Sequence, residues 1–147
     1  MAEGNSYWYQ GAIVAALSGA INLTSDTIKI TLHTGYTPSQ THEAWAAVSA
    51  TEYGTASGYT AGGKACASPT VTKAAAIKFD ANDPATWTAL GPLSPATPSH
   101  AIVWDDTHAS DLLLVLIVLG TTATNGGNYS IAFASGGIGT ITPVAFP

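Results

Sequence analysis

Arginine is absent from the 147-residue sequence, lysine occurs four times, and charged residues make up only 9% of the chain. Guanidinium and ammonium groups neutralise phosphates and hold carboxylates, so a chain with net charge -5 and so few cations is poorly equipped for nucleic acid. Cysteine is nearly absent as well. Cys66 stands alone, cannot form an internal disulfide, has no His or Lys pair at activating spacing, and reads as a small buried side chain. Long apolar runs are also lacking. A bilayer span needs about 20 apolar residues, and the longest aliphatic stretch, Leu112 to Leu119, is less than half of that. No membrane partner is expected. The opening Met1-Ala2-Glu3-Gly4-Asn5 has an acid where a secretory signal carries Lys or Arg, so no signal peptide is expected.

Against these absences stands a hydrophobic fraction of 46%, which with the modest net charge excludes a disordered chain. A chain this long can bury roughly 70% of the surface its unfolded form exposes, enough for one domain over residues 1–147 without disulfides or metals. An ordinary soluble domain has about 25% charged residues, so here Thr, Ser, Ala, Gly and Asn must make the surface. Such a surface does little to keep neighbours apart and suits a protein whose faces are occupied by partners. A secreted or extreme-environment protein with a neutral skin is the alternative.

Periodicity predicts a mainly β fold behind one helix. Ile13, Val14, Leu17 and Ile21 recur at helical spacing, which predicts a helix over 6–20, capped by Asn5 or Ser6 and stopped near Gly19. Thr27 to His33 then alternates, placing Ile28, Ile30 and Leu32 on a buried face and Lys29, Thr31 and His33 on an open one. Further strands are expected at Thr70–Thr72, Ala76–Phe79, Trp87–Leu90, Ala101–Trp104, Asp111–Leu119, Tyr129–Phe133 and Gly139–Thr142, separated by Gly, Pro, Asn and Asp. This spacing, without βαβ alternation, reads as an antiparallel β-sandwich or jelly-roll-like barrel over 27–142 with a short N-terminal helix. The Leu112–Leu119 run has no polar face. As a strand it needs cover on both sides, from the helix or from a neighbouring subunit, and a homotrimer is the expected answer.

The segment from Gly35 to Gly63 is long, weakly periodic and carries Tyr36, Trp45, Tyr53 and Tyr59, with a helical turn expected over Thr41–Val48. Together with Tyr7 and Trp8 these aromatics are the candidate interface residues. No catalytic site is found. Asp105, Asp106, His108 and Asp111 crowd together, but the calcium-loop pattern is missing and they read as turn residues. Asp80-Ala81-Asn82-Asp83 is broken by Pro84. The histidines follow no zinc spacing, no Gly-flanked serine elbow occurs, and the Gly-rich stretches lack a P-loop ending. No cofactor or metal is expected.

Several segments together resemble a group of small tailed-bacteriophage virion proteins. They are Thr27-Ile28-Lys29-Ile30-Thr31-Leu32, Tyr36 to Glu43, Val48 to Tyr53, Gly58-Tyr59-Thr60-Ala61-Gly62-Gly63, Ile77 to Asp83 with Trp87, and Asn125 to Ile131 with Gly137-Ile138. The likeness runs through most of the chain from Thr27, and Gly-Tyr-Thr-Ala-Gly-Gly is its most characteristic part. The chain departs from the group at Trp104-Asp105-Asp106, where a Lys often follows the central strand, and at the longer run Leu112–Leu119. The resemblance implies a non-enzymatic virion component. A capsid decoration, or cement, protein on the major capsid protein is the expectation, located on the capsid surface after assembly in the host cytoplasm. The alternative is a tail, baseplate or fibre part that contacts the host.

Overall fold

The computed structural model describes residues 5–54, 58–91, 97–120 and 126–143. Its largest unit is a five-stranded antiparallel sheet. The strands are β1 (Ser6–Trp8), β2 (Ile28–His33), β3 (Lys64–Ala65), β7 (His100–Asp105) and β8 (Leu112–Val118), in the order β1-β8-β7-β2-β3. A second sheet joins β4 (Thr70–Lys73), β5 (Ile77–Asp80) and β10 (Gly139–Ile141) in the order β10-β5-β4, and β6 (Trp87–Leu90) pairs with β9 (Gly127–Tyr129). One helix, α1 (Gln10–Ser18), follows β1. The fold is therefore mainly β, antiparallel and led by one short helix. No closed barrel is formed among the described residues.

Several boundaries differ from expectation for local reasons. The helix begins at Gln10 because Ser6–Trp8 is taken by β8, with Ser6 opposite Ile117 and Trp8 opposite Val115. Neither Asn5 nor Ser6 caps it; Tyr9 holds the N-cap position without a side-chain bond. Its end is as predicted, since Gly19 adopts φ 74° and donates its N–H back to the last turn. The Tyr129–Phe133 strand is displaced to Gly127–Tyr129, and the helical turn over Thr41–Val48 is realised as a 3-10 turn at Trp45–Ala47. The short strand β3, pairing Lys64 and Ala65 with Ile30 and Lys29, has no sequence signal of its own. Expectations for Met1–Gly4, for Pro92 and for Asn125 lie outside the described residues.

The main sheet is covered on both faces, which corrects the expectation of an open face on β2 and gives β8 the helix as cover, one of the two expected for it. Ile28, Ile30 and Leu32 are buried as predicted, but Thr31 and His33 on the opposite face are fully buried too. The segment after β2 folds back over that face: Trp45 stacks on Trp104 at 4.8 Å between centroids, and Tyr36 stands edge-on to His100 at 5.7 Å. Strand β8 is likewise enclosed within one chain, Leu113, Leu114, Val115 and Ile117 having no exposed surface. Helix α1 packs on it, and Leu113 donates its N–H to the Glu43 carbonyl. The need for a neighbouring subunit to cover Leu112–Leu119, on which the trimer rested, is thereby removed. A bulge helps the strand fit: Val103 faces Val115 and Trp104 faces Leu113, so Leu114 is the extra residue, and its carbonyl accepts the Tyr9 N–H at 3.0 Å.

Candidate interaction surface

Six large hydrophobic residues are exposed among the described residues: Tyr7, Val14, Leu17, Val71, Ile77 and Ile141. Four of them are gathered together. Leu17, Val71, Ile77 and Ile141 border one groove of about 170 Å³ between α1 and the β10-β5-β4 sheet, with Trp8 and Phe79 at its base. Strand alternation explains why. Val71 and Phe79 are register partners, as are Ile141 and Ile77, so these residues share the sheet face that looks toward α1. Phe79 is closed off by Trp8, whose ring lies 5.7 Å away and packs over Gly139. Leu17, Val71, Ile77 and Ile141 are left exposed to water.

The helix contributes to this because its apolar residues outnumber the sites that can bury them. Ala12 alone is buried, while Val14 is 66% and Leu17 85% exposed. No charged side chain among the described residues lines the groove. The nearest ion pair, Lys78 with Asp80 at 2.8 Å, belongs to the other face of the small sheet by alternation. A second depression, of about 300 Å³, opens on the other side of β1, bordered by Tyr7, Pro38, Gln40, Leu116 and Val118. Alternation along β1 sends Tyr7 to one groove and Trp8 to the other, and both were candidate interface residues.

The remaining candidates are elsewhere. Tyr36, Tyr53 and Tyr59 are buried, each with its hydroxyl engaged. Tyr36 Oη meets Tyr9 Oη and His42 Nδ1 at 2.9 Å each, Tyr53 Oη donates to the Gly91 carbonyl, and Tyr59 Oη donates to Glu52 Oε1 at 2.9 Å. Burial pushes the Tyr9 and Tyr59 hydroxyls well above their ordinary range. Trp45 is half-buried against Trp104 and His33. These four are packing residues in the free chain, and only Tyr7 and the edge of Trp8 border open grooves. Sequence reading missed Val71, Ile77 and Ile141, because strand-like apolar residues are assigned to a core by default.

Beneath the loop, both ring nitrogens of His33 are engaged. His33 is held between Thr31 Oγ1 and Thr51 Oγ1, both at 3.0 Å, and burial followed by the neighbouring His100 lowers its pKa to about 3. It is neutral at ordinary pH. Cys66 is buried, and burial pushes its thiol up to about 12, far from a nucleophile's range. Asp106 pairs with Lys29 at 2.8 Å, and Asp83 Oδ1 accepts the Phe133 N–H at 2.7 Å, both in keeping with turn roles. No three His, Cys, Asp or Glu side chains come together as a cation site among the described residues. No protein-family model, no curated protein and no solved structure matches the chain.

Proposed function

We propose that this protein is a small phage capsid decoration protein that binds the assembled shell of major capsid protein through the α1/β10-β5-β4 groove. The observation that carries the reading is the gathering of exposed apolar residues at one uncharged groove, on a chain with four Lys and no Arg. An isolated exposed Leu or Val is ordinary; several round one groove mark a place that another surface covers. The resemblance to small virion proteins supplies the class of partner. A homotrimer now rests on this patch rather than on β8.

Stabilisation follows from linkage. A ligand that binds the assembled shell and not the free subunits stabilises the shell by RT ln(1 + [L]/Kd) at each site, and many sites add. Contacts made by Leu17, Val71, Ile77 and Ile141 involve no ion pair, so binding should weaken little between low and high salt. Heating decorated and undecorated particles at two salt concentrations tests both points. Undecorated particles should open at the lower temperature, and adding the Leu17→Asp variant should not restore them. Equal robustness, or recovery of the protein in a few copies on tails alone, would replace this reading with the tail one.

A further inference from the structure

At the joint between the Asn22–Thr27 turn and the β7–β8 hairpin, two carboxyl groups meet where chemistry normally keeps them apart. Asp105, the last residue of β7, is fully buried. Its Oδ1 accepts the Thr107 N–H at 2.8 Å and the His108 N–H at 3.1 Å, which fixes the carboxyl group in place. Its Oδ2 is buried and receives no N–H or hydroxyl. Asp26 is brought beside it by the pairing of Ile28 with Asp105 and by the Asp106 N–H on the Thr27 carbonyl at 2.9 Å, and is itself fixed by the Asn22 N–H on Oδ2 at 2.6 Å. Two ionised carboxylates would repel strongly here, and neither can turn away without losing its backbone donors.

Something positive must lie between them. A hard divalent cation takes six to eight oxygen ligands, and no third acid or His joins the pair among the described residues. The cationic neighbour is already committed, since Lys29 pairs with Asp106 and lies over the Trp104 ring. The other titratable groups of the hairpin turn are His108, whose Nδ1 accepts the Ser110 N–H, and Asp111, held at φ 48°. We propose that Asp105 keeps its proton in the folded chain and donates it from Oδ2 toward the Asp26 carboxyl group, making this joint a pH-sensitive latch between the start of β2 and the β7–β8 hairpin. The proton is taken from solvent on folding and returned on unfolding. Burial, and then Asp26, raise the pKa of Asp105 against the lowering by its two backbone N–H donors.

A carboxyl group raised in the folded state stabilises fully below its unfolded value of 3.8, and that contribution is lost as pH rises through the folded value. An asparagine at either position brings an amide donor that does the proton's work at every pH. The test is the melting temperature of the full-length chain, wild type beside Asp26→Asn and Asp105→Asn, between about pH 4 and pH 8. Differences between variant and wild type cancel the titration of other groups. Both variants should melt a few degrees above wild type at the alkaline end, with the gap closing toward the acid end. A gap that does not change with pH, or variants that melt lower at the alkaline end, would overturn the proposal. So would a wild-type melting temperature that rises with calcium chloride and falls with EDTA, since the gap would then hold a cation.

Discussion

Strand β8 and helix α1 are both rich in apolar side chains, yet one is mostly inside and the other mostly outside. Leu113, Leu114, Val115 and Ile117 are fully buried, whereas Val14 and Leu17 are more exposed than not. Composition does not separate them; position in the topology does. Strand β8 lies between β1 and β7, with a helix and a folded-back loop over it, while α1 lies on the outside of β8 and buries only Ala12. Apolar residues that a domain has no room to bury are the ones available to a partner.

The contrast can be broken by substitution, and the largest effect should come from β8. Ile117→Ala removes a side chain with no exposed surface and should cost about 2–5 kcal/mol in urea unfolding. Trp45 tests the cover on the second face. Because it is half-buried but stacked on Trp104, Trp45→Ala should cost about 3 kcal/mol, the low end for such truncations. A cost near zero would mean that the loop is not what seals the sheet.

Acid should open the same face without any substitution. His33 is neutral in the fold with its pKa near 3, while in the unfolded chain it takes a proton near 6.5. Its contribution is fully present above 6.5 and is lost as pH falls toward 3, on the order of 2 kcal/mol by pH 5. Replacing His33 by Gln should flatten the acid limb of the melting-temperature profile. The smallest effect on folding belongs to α1. Leu17→Asp should change stability by less than about 0.5 kcal/mol while abolishing attachment to particles, and a large loss of stability would show that α1 resembles β8 after all.

Much of this division was legible in residues that report on neighbours close in sequence. The alternation Ile28-Lys29-Ile30-Thr31-Leu32 marked β2, Gly19 marked the end of α1, and Trp87–Leu90 was bounded correctly. What sequence could not reveal depends on remote partners. Ser6–Trp8 has helical company on one side and becomes a strand only because β8 arrives from the far end of the chain. Lys29, Thr31 and His33 look solvent-facing until the Tyr36 and Trp45 segment folds over them. Tyr36, Tyr53 and Tyr59 stand in a long, weakly periodic segment, which marks them as contact residues without saying what they contact. Their hydroxyls instead find Tyr9, Gly91 and Glu52, which lets the rings be buried.

Chain order gives the main sheet a timetable. Thr31 bonds to Ile102, 71 residues later, and Ser6 waits for Ile117, more than a hundred residues on. Little of the sheet can form until β7 has been synthesised, so folding should be slow for a chain of this size and governed by closure of long loops. Of the sheet's five strands, the one most prone to self-association, β8, leaves the ribosome last. By then β1, β2 and β7 are all available, so the sticky strand spends little time without its proper neighbours.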